Sequence, residues 1–167
     1  MANIKAAIDY VLKFEDAGLT GVVTHTADGK RTRFGIDEHY HPELTNCLFF
    51  DSMGKIAALK IAEGIYESSY CQPLCIAEIT NQEVANKLLS LGVNCGTRTA
   101  ARMLQRALGV EGDGRIGPIT LDRLDHADPA ALLTRLKHLA EEHYEALMEE
   151  NPALAVYKRG WLRRAEA

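Results

Sequence analysis

Apolar residues at Ile4, Ala7, Ile8, Val11, Leu12 and Phe14 recur at helical spacing, which predicts an amphipathic helix from residue 3 to about 16, stopped by Gly18. The period then changes. Val22-Val23-Thr24-His25-Thr26 is a β-branched run, Asp28-Gly29 is a turn signal and Arg31-Thr32-Arg33-Phe34 alternates, so residues 21 to 36 read as a small hairpin. A two-stranded ribbon is marginal alone and must lean on the helices around it.

Pro42 opens a segment of mixed pattern in which Leu44, Leu48, Phe49 and Phe50 are expected to be buried. Asp51 or Ser52 is expected to cap a helix carried by Ile56, Ala57, Leu59, Ile61, Ile65 and Tyr66, followed by a short helix around Cys71 to Ile76. Thr80 or Asn81 caps the next helix, which buries Val84, Ala85, Leu88, Leu89 and Leu91, and Thr97 or Thr99 caps one that buries Ala100, Met103, Leu104, Ala107 and Leu108. Three glycines and a proline then crowd into residues 112–118, a dense turn. Asp128-Pro129 opens a long helix to about Glu149, and Pro152 leaves Tyr157 to Arg164 as a tail. Helices dominate, so the class is mainly α: a helical bundle with one small β-hairpin near the N-terminus.

Composition narrows the function. The chain has 167 residues, 47% of them apolar, enough for one compact core. A net charge of -4 and a pI near 5.9 leave no electrostatic footprint for nucleic acid. No apolar run approaches the roughly 20 residues of a membrane span, and the start at Met1 lacks a signal-peptide pattern. Synthesis in the cytoplasm without a signal, and no membrane insertion, are therefore expected. Cys47, Cys71, Cys75 and Cys95 have neither disulfide-framework nor zinc-finger spacing and read as reduced core cysteines. His25, His39 and His41 lack metallopeptidase spacing, so neither a metal nor another cofactor is expected.

One carboxyl stands out. Glu15 leaves an apolar helix to face a polar hairpin, the partly desolvated position a general acid needs; the alternative is an ordinary helix-end glutamate. Asp28 is either a catalytic assistant or a turn former, and Asp16 is a rival that points about 100° away from Glu15 on the helix. Thr32 either holds a nucleophilic water or is simply a favoured strand residue, with Thr24 and Thr26 as alternates on the facing strand. Tyr66, Tyr70 and Trp161 either stack on sugar rings or pack in the core.

Several segments align with one family. Leu91-Gly92-Val93-Asn94-Cys95-Gly96, Leu104-Gln105-Arg106-Ala107-Leu108, Asp113-Gly114-Arg115-Ile116-Gly117-Pro118 and Gly160-Trp161-Leu162-Arg163-Arg164 lie in the second half; Glu15 and Thr32-Arg33-Phe34-Gly35-Ile36 lie in the first. Over nearly its whole length the chain resembles the peptidoglycan-active N-acetylmuramidases of glycoside hydrolase family 108. The resemblance implies a lysozyme-like α+β fold, with residues 1–90 catalytic and residues 91–167 a helical peptidoglycan-binding part, packed as one unit. It implies cleavage of the β-1,4 bond between N-acetylmuramic acid and N-acetylglucosamine. Glu15 matches the catalytic glutamate and Thr32 the threonine of the glycine-isoleucine segment, with Asp28 a possible partner. Thr24, Thr26, Phe34, Tyr66, Tyr70, Asn94 and Arg115 are candidate substrate contacts, although the loop at Arg115 also reads as a tight interhelix turn.

Such an enzyme would act in the periplasm or cell wall after release by a holin or an export machinery, in phage-type lysis or in wall remodelling for protein export. The family follows its glutamate with two glycines and an aromatic residue, where this chain has Asp16-Ala17-Gly18-Leu19. That departure supports one alternative, a catalytically inactive peptidoglycan-binding protein of the same fold. The other is an antibacterial effector of the same chemistry with an immunity protein as partner.

Overall fold

A computed structural model describes residues 1–26 and 29–167 of the chain. Helix α1, Ile4–Glu15, starts where the Asn3 side chain accepts from the Ala6 amide, and it buries Ala7, Ile8, Val11 and Leu12. Beyond its end the Asp16 carboxylate accepts the Thr20 and Gly21 amides at 2.9 and 2.7 Å and so builds the loop toward the sheet.

The predicted hairpin is there, formed by β1, Thr24–His25, and β2, Arg31–Arg33; the expected turn residue Asp28 lies outside the described residues. A third strand, β3, Ile36–Asp37, extends it into an antiparallel sheet of order β1-β2-β3. The tight turn between β2 and β3 is Phe34-Gly35, both at positive φ (50° and 75°), the backbone that a two-residue hairpin loop requires. Buried Arg33 ties the sheet to the chain behind it by donating to the carbonyls of Gly21, Phe49 and Met53 at 2.8, 2.7 and 2.9 Å. A charge without water is tolerated there because its donors are met.

Residues 42–79 depart furthest from expectation. Leu44, Phe49 and Phe50 are buried, but Leu48 is exposed in a left-handed conformation that ends the short 3-10 turn Pro42–Cys47. Helix α2, Lys55–Tyr66, starts after Gly54 with no side-chain cap, and neither Asp51 nor Ser52 serves. Its inward face is Ala58, Ala62 and Tyr66, whereas Ile56 is 77% exposed. Small alanines let the helix approach its neighbours closely, so bulk is a poor guide to its buried side. The short helix expected at Cys71 to Ile76 is replaced by a π turn, Glu67–Cys71, and a 3-10 turn, Ile76–Glu78. Pro73, without an amide proton, sits between them.

Helix α3, Gln82–Cys95, is the central element, capped by Asn81 and packed against α1, α4 (Thr97–Leu108) and α6 (Pro129–Glu150). Gly96, not Thr97 or Thr99, occupies the N-cap of α4. In the dense turn after α4, buried Gln105 donates to Asp113 Oδ1 at 2.6 Å and accepts from the Gly114 amide at 2.8 Å. Helix α5, Pro118–Asp125, then leads to α6, capped by Asp128. The expected tail is instead helix α7, Lys158–Glu166, which turns back onto α6 and buries Arg164 and Ala165. All four cysteines are free; Cys71 is buried, and burial pushes its thiol up to about 12, but Cys47 is exposed rather than in the core. Among the described residues no helix is long and apolar enough to cross a membrane.

Candidate active site

Glu15 is the last residue of α1, and its side chain keeps 22% of its surface exposed. Three elements converge on it. From the sheet, the Phe34-Gly35 turn comes so close that a Cβ added to Gly35 would lie 2.8 Å from both Glu15 Cβ and Cγ. From the end of α2, Tyr66 Oη donates to the Phe34 carbonyl at 3.0 Å and holds that turn in place. From α7, Arg164 Nη2 donates to Glu15 Oε1 at 2.6 Å.

Arg164 is 8% exposed; its Nη1 lies 3.3 Å from both the carbonyl and the hydroxyl of Ser90, and its guanidinium packs 5.1 Å from the centre of the Phe14 ring. Tyr70, half-buried and tilted against Tyr66 with ring centres 5.8 Å apart, completes the surroundings. Burial first, and the nearby Glu15 charge second, push both phenols above the ordinary tyrosine range, so both stay protonated as donors at neutral pH.

The strands joined at the Phe34-Gly35 turn carry the next group. Thr24, Thr32 and Asp37 stand directly opposite one another across the three strands and therefore share one face of the sheet. Thr32 Oγ1 is buried without a hydrogen-bond partner among the described residues. Asp37 is half-buried, and its Oδ1 accepts the His39 amide at 2.7 Å.

The remaining sequence candidates are distributed differently. Phe34 and Tyr66, expected as sugar contacts, are 2% and 1% exposed and belong to the core, where Tyr66 fixes the turn. Thr26 spends its hydroxyl on the Lys30 carbonyl at 3.1 Å, closing the hairpin. Asn94 accepts from Tyr144 Oη at 2.8 Å and, with Phe14, Tyr157, Trp161 and Arg164, lines a cavity of about 330 Å³. Trp161 packs against Tyr144, their rings stacked 5.1 Å apart, so the core alternative applies to it. Arg115 belongs to the rear turn: its amide donates to Asp113 and its carbonyl accepts from Gln105, away from the Glu15 contacts. Asp16 is a loop cap, bound to Thr20 and Gly21. Asp28 lies outside the described residues. His41 pairs with Glu43 at 3.0 Å, and among the described residues no three His, Cys, Asp or Glu side chains group as a metal site would need.

Two residues of the site escaped sequence reasoning. Asp37 follows the glycine-isoleucine segment directly, and the alternation that placed Thr32 could have reached it. Arg164 lies 149 residues from Glu15 in the chain, and no local pattern links them.

Comparison with known proteins gives the family. The profile of the family described as Glycosyl hydrolase 108 matches residues 8–96, more than half of the chain. The chain belongs to glycosyl hydrolase family 108. A second profile, described as "Predicted Peptidoglycan domain", matches residues 99–166. Together they make this family 108 member a glycoside hydrolase that acts on peptidoglycan. Among solved structures, one described as "Structure of Brucella abortus SagA" is 19% identical and superimposes with a TM-score of 0.75 over 98% of this chain and 89% of that one, a likeness of fold consistent with the mainly α, lysozyme-like class. No curated protein sequence matches the chain. Glu15 and the sheet fall within the family 108 match and Arg164 within the peptidoglycan-domain match, so their ion pair joins the two regions.

Proposed function

We propose that this family 108 hydrolase is an N-acetylmuramidase in which Glu15 is the general acid. In this reading Glu15 gives its proton to the leaving glycosidic oxygen as the bond from muramic acid C1 breaks, and water adds to C1 on the opposite face of the sugar. Thr32 holds that water and Asp37, on the same sheet face, takes up its proton. The observation that carries the reading is the seat of Glu15: a partly exposed carboxyl at a helix end, gripped by Arg164 and touching the turn that joins the strands of Thr32 and Asp37. The Thr32 hydroxyl has no partner among the described residues, so its hydrogen-bonding capacity is unspent, which a water-holding role requires. Half-buried Tyr70 and exposed Thr24 and Asn94 are the proposed sugar contacts, with Arg115 a more distant wall contact.

Its substrate lies outside the cytoplasm, so the enzyme would work in the periplasm or wall, reached through a holin-type pore or an export machinery. Lysis and wall opening for export are the two settings this chemistry serves. Use as an antibacterial effector would add an immunity protein as partner.

Digestion of purified peptidoglycan by wild type and Glu15→Gln, with borohydride reduction and mass spectrometry of the products, tests the reading. Reduced muramic acid ends from wild type alone are expected. Reduced glucosamine ends, new peptide amines, or wall that is bound but uncut by wild type would overturn it.

A further inference from the structure

We propose that Arg164 is the positioning residue that holds the Glu15 carboxyl in its catalytic orientation, so that the C-terminal helix α7 completes the active site of the family 108 region. The proposal rests on Glu15 being the general acid.

Glu15 is the last residue of α1 and has three rotatable side-chain bonds, so something must select one orientation. Its backbone neighbours do not: the Gly35 turn packs against Cβ and Cγ and leaves the carboxyl head to rotate. Arg164 Nη2 reaches that head at 2.6 Å, at Oε1 alone. A one-oxygen grip tethers Oε1 and so restrains the carboxyl, while leaving Oε2 outside the arginine's hold, available to carry the proton toward the bond being cut.

The grip is itself held on every side. Ser90 of α3 takes Nη1 through both its carbonyl and its hydroxyl at 3.3 Å, and the Phe14 ring covers the guanidinium face. Behind it, Lys87, 1% exposed, donates to the carbonyls of Arg164 and Ala165 at 2.7 and 2.5 Å and pins the last turn of α7 to α3. Lys137 of α6 donates to the Glu166 carbonyl at 2.5 Å. A guanidinium is a planar fork, so fixing one arm at Ser90 fixes the direction of the other, which points at Glu15. Burying two cations under one helix end is costly, and apolar packing would hold that end at least as well. Orientation of a carboxyl is what apolar packing would not supply.

The test compares wild type, Arg164→Gln, Arg164→Lys and Glu15→Gln on soluble, uncross-linked peptidoglycan strands, reading kcat and KM separately, with wall pelleting and thermal unfolding alongside. A misplaced catalytic group costs on the order of 100-fold in rate. Arg164→Gln is therefore expected to lower kcat about 100-fold with KM and pelleting unchanged, and Arg164→Lys to recover part of the loss. A folded Arg164→Gln variant with wild-type kcat, or with a change confined to KM, overturns the proposal. If that variant does not fold, Arg164→Met decides: it keeps an apolar stem in the buried seat and removes the fork, and an unchanged kcat overturns the proposal while a fall in kcat at constant KM supports it. Full activity in Glu15→Gln would instead sink the general-acid reading itself, whereas an inactive Glu15→Gln beside a fully active Arg164→Gln would sink only the role of Arg164.

Discussion

Gly35 lies directly against Glu15: a Cβ on Gly35 would sit 2.8 Å from Glu15 Cβ and Cγ, and closer still to Tyr66 Oη. The glycine also has φ +75°, where L side chains are strained. The turn and the Glu15 stem thus share one space, and no side chain fits between them. Gly35→Ala is expected to destabilise the protein by about 1–3 kcal/mol, the range for overpacking, and to lower kcat because Glu15 must move. Urea unfolding and strand-digestion kinetics would check both effects; wild-type values in the two together would contradict the packing described.

Thr32 and Asp37 face one another across β2 and β3. If they hold and deprotonate the attacking water, Asp37→Asn should lower kcat by about 100-fold or more, in the range that general-base groups supply, and leave wall binding intact. Thr32→Val, which keeps shape and removes the hydroxyl, should lower kcat without loss of stability, since the hydroxyl has no partner among the described residues to lose. Unchanged turnover in Asp37→Asn would return the proton-accepting role to another carboxylate.

Arg33 serves structure rather than chemistry. Its guanidinium satisfies the carbonyls of Gly21, Phe49 and Met53 in a buried setting, and Arg33→Met would leave all of them without that donor. A loss of about 3 kcal/mol is expected from unsatisfied buried groups, read as a lower urea midpoint. A loss under about 1 kcal/mol would mean that the sheet is anchored by apolar contacts alone.

Lys87 gives stability a pH dependence of known sign. Burial, reinforced by Lys137 and Arg164, pulls it from 10.5 down to about 8. Between about pH 8 and 10.5 the unfolded chain therefore keeps a proton that the folded chain has released, so the Lys87 contribution raises stability as pH climbs through that window and lowers it on the way back. Cys71 and Cys95, whose thiols burial pushes up, contribute with the opposite sign above about pH 9. Comparison of wild type with Lys87→Met by urea unfolding from pH 7.5 to 9.5 isolates the lysine. The wild type should gain on the variant as pH rises; a constant difference would show that Lys87 stays charged in the fold.

Local chemistry along the chain determined most of the helices. Periodic apolar faces marked α1, α3, α4 and α6, and Asn81 and Asp128 announced the starts of α3 and α6, because capping and amphipathic spacing act within a few residues. The same locality placed a hairpin after α1 and drew attention to Glu15 at the helix end, whereas Thr32 was marked by its likeness to the family's glycine-isoleucine segment. The inward face of α2 was not legible: Ala58 and Ala62 are chosen by the closeness of neighbouring elements, which no window of sequence contains. Nor was β3, two residues long and defined by pairing with β2 across a turn that Tyr66 secures from the end of α2. What surrounds the candidate acid was decided by tertiary structure alone. Arg164 reaches Glu15, and Ser90 and Lys87 come to hold it there, only when α7 docks on α3, because an ion pair spanning 149 residues depends on the packing of helices and not on any pattern within them.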